Sequence, residues 1–430
     1  MIDTIVIARG RLLWFSREPV DESDQSAFSY IEDAGLVAKN GLIVWSGDWA
    51  EMPDQFRNID YVDHRPHLIL PGFVDCHLHF PQSQVVASYA GSLLEWLNNY
   101  TFIEEQKYGD ADFATLMAAR FLDQLIRHGT TTAVAFCSVH KASCDALLGE
   151  AERRSMRIVA GKVMMDRNAP EALLDNAQMS YDDTKDLIEH WTGKGRAEVA
   201  ITPRFALTST EAQLEAAGAL VQEYPEALMQ THLSENHAEI KAVSELFPSA
   251  KDYTDVYSRY GLLSDRSLMG HAIHLSDRER GALAETGAVS VFCPTSNLFL
   301  GSGFFDLKAT EKAGQRHAIA TDIGGGTSWS MLRTLDEGYK IHNCQGTRYN
   351  PLRSFYQATL GNALAIGMAD KIGTLEAGTE ADFIVLDAAA TDAMALRSET
   401  VQTLSEELFL LQTMGDDRAV KSTYVNGCAV

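Results

Sequence analysis

The sequence predicts an α/β fold: a (β/α)8 barrel of the TIM type, with a small β-sandwich domain built from both chain ends. Three observations predict it. Eight β-rich runs alternate with longer helical patterns through the middle of the chain. Both ends read instead as short strands broken at glycines, as hairpins are. At 430 residues, 46% of them hydrophobic, the chain can fill one large barrel with attachments, though the length alone also fits two or three domains. The division this gives is 1–69 and 370–430 for the two parts of the sandwich domain and 70–369 for the barrel.

Taken in order, "DTIVIARGRLL", "AGLVAKNGLIVWSG" and "HLILPGF" alternate and turn at glycines. The barrel strands are expected at 71–79, 130–136, 157–165, 198–203, 228–233, 267–272, 288–293 and 317–322. Helical periodicity separates most of them, as in "ADFATLMAARFLDQLIRHG", "EAQLEAAGALVQEY" and "DRERGALAETG". Between the first two strands lies "SQVVASYAGSLLEWLNNYTFIEEQKYGD", residues 83–110, long and aromatic. A long connection at the C-terminal rim of a barrel reads as a lid or pocket wall, the alternative being a packed extra helix. "DKIGTLEAGTEADFIVLD" and "VKSTYVNGCAV" return to strand character at the far end. No fixed-period repeat or low-complexity segment interrupts the pattern.

The formal charge of −23 disfavours nucleic acid and anionic membranes as partners and suits a small, roughly neutral substrate. Cys76, Cys137, Cys144, Cys293, Cys344 and Cys428 show no C-x-x-C spacing and read mostly as buried free thiols. The start "MIDTIVIARGRLL" lacks a signal-peptide pattern, and no apolar run approaches the roughly 20 residues that span a bilayer. A reducing cytoplasm is the expected location.

Barrel enzymes carry their catalytic groups at the C-terminal strand ends. Strand one ends in His77-Leu78-His79, and residues two apart on a strand point the same way. Strand five ends in "MQTHLSEN" with His232 and Glu235, strand six in "LMGHAIH" with His271, and strand eight in "AIATDIGGGTS" with Asp322. Each feature alone is weak, since a single histidine at a strand end is more often hydrogen-bonded structure. Their convergence on one rim points to a catalytic metal with an open position, Zn2+ first and Fe2+ second. One ion per chain is expected: strand four has no lysine for a bridging anion, and Lys162 on strand three is the weaker candidate for one. His128, His140, His237 and His274 read as structural or solvent-facing.

A bound Zn2+ brings the pKa of water down to about 7 and so supplies a nucleophile at neutral pH. A carboxylate beside it must move protons, and Glu235 stands three residues past His232 with no other duty. The competing reading makes Glu235 a helix-start acid in "SENHAEI", with Ser234 as cap. His271 would hold the water, and Asp322 would ligate the metal and accept the water's hydrogen bond.

The blocks "PGFVDCHLHFPQ", "LLEWLNNYTF", "TPRFALTST", "QTHLSEN", "CPTSNLFLGSG" and "TDIGGGTSWSML" together resemble the amidohydrolase superfamily. Within it, "HFPQ", "LLEWLNNYTF" and "TPRF" are similar to the branch that deaminates guanine, over about residues 70–385. The resemblance implies hydrolysis of guanine to xanthine and ammonia by a homodimer. It implies His77, His79, His232 and Asp322 as metal ligands, Glu235 as proton shuttle and His271 as the contact to the hydrolytic water. It also implies that Gln82, Arg204 and Phe205 hold the purine, beside His232, Glu235 and Asp322. A guanidinium suits the O6/N7 edge of guanine, a phenyl ring suits its face, and an amide offers both donor and acceptor. Without the resemblance, Arg204 could equally pair with an acid and Phe205 fill the core. An aminohydrolase acting on another purine, a pyrimidine or a triazine, or a cyclic amidase, stays open. The zinc deaminases built on H-x-E and P-C-x-x-C are excluded, since Cys293-Pro294 has the reverse order and no second cysteine. Gly324-Gly325-Gly326 has no lysine beside it and reads as room beside the metal rather than a phosphate loop. A catalytically dead barrel would have lost ligands, and this chain has them all.

Overall fold

The structure, a computed structural model, describes residues 4–89 and 93–430. Eight parallel strand positions follow one another in chain order. They are Phe73–His79, Thr130–Phe136, Arg157–Gly161 with Val163–Met164, Glu198–Val199 with Thr202–Pro203, Met229–Leu233, Ser267–His271, Val289–Phe292 and Arg316–Ile319. Each pairs with the next, and an Ile201–Met229 bridge joins the fourth to the fifth.

Among the described residues no ladder joins the eighth strand to the first; single hydrogen bonds link the segments there. Asp322 N donates to the His77 carbonyl at 2.9 Å, and His79 N donates to that of Ile323. Below them, the Thr321 hydroxyl donates to Asp75 at 2.5 Å. Lower still, the Asn362 amide donates to the carbonyls of Val74 (2.6 Å) and Ile319 (2.7 Å) and accepts from Ile319 N (3.0 Å).

The helices between strands form for local reasons. Ala111–Arg127 begins where the Asp110 side chain accepts from Phe113 N, and it buries Ala114, Met117, Ala118, Phe121, Leu122 and Leu125. That spacing is one helix face, and burying each of the large side chains contributes on the order of 1.5–3 kcal/mol. Asp277–Thr286 begins at a capping box of Ser276 and Glu279 and stops at Gly287, whose φ of 75° ends the helix without a Cβ penalty.

Both termini build one seven-stranded sheet. Its order is Cys428–Ala429, Val420–Val425, Phe383–Leu386, Val62–Pro71, Ile5–Phe15, Phe28–Lys39, Leu42–Asp48. The sheet bends at several register shifts and encloses Leu12, Leu36, Ile43, Ile69, Phe383 and Val385. Arg196 pairs with Glu380 and Asp382, and Arg157 with Glu380, tying barrel to sheet.

The first connection, read above as lid or wall, packs as a wall where it is described; residues 90–92 of it lie outside the described residues. Leu93–Glu105 runs as consecutive helical turns and buries Trp96, Leu97 and Phe102 against Val139, Val163, Met165, Leu173 and Phe205. The thiols are mostly buried, as expected. Cys76, Cys137, Cys144 and Cys293 are buried, but Cys344 and Cys428 are exposed, because they lie at a helix end and on the sheet's edge strand. Among the described residues, no helix is long and apolar enough to cross a membrane.

Candidate metal centre and the cavity around it

The four strand ends meet. His77 and His79 extend from the first strand, and His232 and His271 from the fifth and sixth. Asp322 follows the eighth strand by three residues. His79 Nε2 lies 3.1 Å from His232 Nε2. Asp322 Oδ1 lies 3.5 Å from His77 Nε2 and 3.4 Å from His79 Nε2. Donor atoms at about 2.0–2.1 Å from one ion in tetrahedral array stand roughly 3.3 Å apart. The spacings therefore fit a single metal held by these side chains.

The chemistry of the donors fits as well. Burial, then mutual repulsion, pushes His77, His79 and His232 well below the usual histidine range, so their imidazoles are neutral and carry lone pairs. Both ring nitrogens of His77 are buried with no hydrogen-bond partner among the described residues, which leaves Nε2, facing Asp322, open to a metal ion. His232 Nδ1 lies 2.7 Å from the Arg204 carbonyl, which fixes the proton there and frees Nε2 to face the site. Burial pushes the Asp322 carboxyl well above its usual range, a penalty that a bound cation reverses.

The backbone is bent to bring them in. Ser234, His271, Ala272 and Asp322 all have φ between 48° and 66°, a left-handed conformation uncommon without glycine and concentrated in functional sites. Gly270 leaves room: a Cβ there would stand 2.6 Å from His77 Cε1. Gly325 does likewise for Asp322 Oδ2, at 3.2 Å, in line with the reading of the glycine run as space.

Glu235 is buried beside the centre, 3.5 Å from His271 Nε2. Burial raises its carboxyl to about 7, partly offset by the Ser302 hydroxyl, which donates to Oε1 at 2.7 Å. A carboxyl near that value exchanges protons readily at neutral pH. The cap reading does not hold. Asn236 is the N-cap of His237–Leu246, in a capping box with Glu239, so Glu235 is left to the site. His271 Nδ1 meets the Asn297 amide at 3.0 Å, which orients the ring and leaves Nε2 toward Glu235 and Asp322.

Beside these groups opens a cavity lined by His79, Gln82, Trp96, Leu97, Arg204, Phe205, His232, Glu235, His271, Leu300, Asp322 and Gly325, among others. All the side chains expected to touch a purine reach it, but Arg204 is not simply free. Its Nη1 donates to Glu105 at 2.7 and 3.0 Å, and Gln82 Nε2 donates to the same carboxylate at 2.9 Å. The sequence reading missed Glu105, Ser302 and Asn297. The one signal for Glu105 was an acid inside the aromatic insertion. Trp96 adds an indole N–H in the cavity wall with no partner among the described residues. Lys162 is turned from the site onto Asp175, at 2.6 Å, so it bridges nothing there. His128, His140, His237 and His274 belong to no cluster that could hold a metal among the described residues.

Known proteins resemble this chain over nearly its whole length. The amidohydrolase family profile matches residues 68–430. The guanine deaminase of Escherichia coli (strain K12) is 45% identical over 99% of this chain and 97% of its own. The solved E. coli guanine deaminase superposes with a TM-score of 0.95, covering 99% of both chains. A guanine deaminase from C. acetobutylicum, solved with guanine in its active site, superposes with a TM-score of 0.89 at 30% identity, over 99% of this chain and 100% of its own.

Proposed function

The chain belongs to the amidohydrolase family, and on that premise we propose that it hydrolyses guanine to xanthine and ammonia. The observation that carries this reading is a single cavity in which a histidine–aspartate cluster, a carboxyl poised near neutrality and a pair of purine-edge groups meet. The full-length similarity to guanine deaminases supports the choice of base.

In this reading His77, His79, His232 and Asp322 hold one ion per chain. Three imidazoles and one carboxylate suit Zn2+ first and Fe2+ second. When bound, the ion acidifies water and supplies a nucleophile near neutral pH. Arg204 and Gln82 hold the oxygen-bearing edge of the base, and Phe205 packs against its face. Glu235 takes a proton from the attacking water and delivers it to N3 as the oxygen adds at C2. The resulting carbon bears one hydroxyl and one amino group. Glu235 then moves the hydroxyl proton to the amino nitrogen, the C2–N bond breaks, and ammonia leaves. The proton added at N3 stays, so guanine and water become xanthine and ammonia with all atoms accounted for. His271, oriented by Asn297, keeps the water in line, and the buried walls exclude bulk solvent.

The same reading places the protein in the cytoplasm as a homodimer. Its six free cysteines support a reducing compartment, and family resemblance supports the dimer. The test is loss of guanine absorbance with stoichiometric ammonia release, before and after chelation and re-addition of Zn2+. Turnover that survives complete metal removal, or that is faster on adenine, cytosine or a triazine, overturns it.

A further inference from the structure

Glu105 carries no role in the reaction just described, yet it is as buried as the metal-site side chains, at 1% exposure. Its Oε1 accepts from both Gln82 Nε2 (2.9 Å) and Arg204 Nη1 (3.0 Å), and its Oε2 accepts from Arg204 Nη1 (2.7 Å). The far end of the Gln82 amide, Oε1, accepts from Gly324 N at 3.3 Å. Glu105 lies on the helical insertion, Gln82 after the first strand and Arg204 after the fourth; one carboxylate therefore ties three segments of the cavity together. A buried ion pair is a costly way to gain stability alone, because desolvation cancels much of the attraction. What it does supply is a fixed direction for the donors that remain on Arg204.

We propose that Glu105 is a positioning residue that sets selectivity for a neutral 6-oxopurine, resting on the guanine reading above. The carboxylate fixes Arg204 and Gln82 toward the oxygen edge of the base. It also cancels the arginine's charge, so the cavity offers oriented donors with no net positive charge. A lone guanidinium would favour an anion; a paired one favours a carbonyl oxygen beside a ring nitrogen.

The test compares guanine with 2-aminopurine, which has the same reacting amino group at C2 but hydrogen in place of the C6 oxygen. In Glu105→Gln, kcat/KM for guanine falls by about 10- to 100-fold, the range for losing one charge-assisted hydrogen bond. The fall lies mainly in KM, while kcat/KM for 2-aminopurine changes by less than about threefold. Glu105→Asp, which keeps the charge but withdraws it by one methylene, shifts the ratio in the same direction and carries the test if the amide variant does not fold. Equal losses on both bases, or an unchanged ratio, overturn the assignment. Failure of the guanine reading itself is seen separately, as a wild-type protein that releases no ammonia from guanine.

Discussion

At the scale of single residues, the site is a set of side chains held by partners outside it. Glu235 shows this best, because both its protonation and its direction depend on neighbours. Burial raises its carboxyl, the Ser302 hydroxyl opposes that rise, and His271 faces its other oxygen. Glu235→Gln keeps the size and removes the exchangeable proton, so turnover should fall by about 10²–10⁴ with metal content unchanged. Turnover within a few-fold of wild type, measured beside metal analysis, would remove Glu235 from the mechanism. Ser302→Ala tests the support: kcat should drop by about tenfold with little change in KM, since the lost bond orients a group that acts only on the way to the transition state. The histidine pair His77 and His79 was readable from the sequence because strand geometry puts alternate residues on one side. Ser302 was not, because its partner lies 67 residues away and nothing local marks a serine as the one that will reach it.

At the scale of elements, two devices shape the cavity. The first is the left-handed turn that ends strands five, six and eight and swings His271 and Asp322 inward. Glycine at 270 belongs to the same device. Gly270→Ala puts a methyl 2.6 Å from the His77 ring, and the expected result is weaker metal retention, read as a lower chelator concentration for half-inactivation. A variant that holds its metal as tightly as wild type would show that the ring can move aside. The second device is the aromatic insertion, whose existence and position were plain in the sequence. Its helical phase was not, since short successive turns with one π-type stretch give no clean period. That is why the inward direction of Trp96 and Glu105 was hidden. Trp96→Phe keeps the ring and deletes the unpaired indole N–H. If that donor meets the base, KM for guanine rises by about five- to tenfold with kcat preserved, the share of one neutral hydrogen bond. An unchanged KM would leave Trp96 as wall alone.

At the scale of the molecule, the barrel is legible as eight alternations, but its closure is not. Strand one carries His77 and His79 and Asp322 follows strand eight, so the candidate metal site spans the seam where no ladder joins the two strands among the described residues. Asn362 fastens that seam from below, 288 residues from Val74 in sequence, a distance no local pattern can encode. Asn362→Leu would leave the carbonyls of Val74 and Ile319 and the Ile319 N–H buried and unpaired, at about 1–3 kcal/mol each. Arg196→Ala offers the contrast, because it loosens the barrel from the terminal sheet through Glu380 and Asp382, away from the seam. Both variants should melt lower than wild type. If the seam is what holds the ligands in register, only Asn362→Leu should also lose metal more readily at temperatures well below its melting point. Equal metal retention in the two variants would mean that the upper bonds, Asp322 to His77 and Thr321 to Asp75, hold the site without help from below.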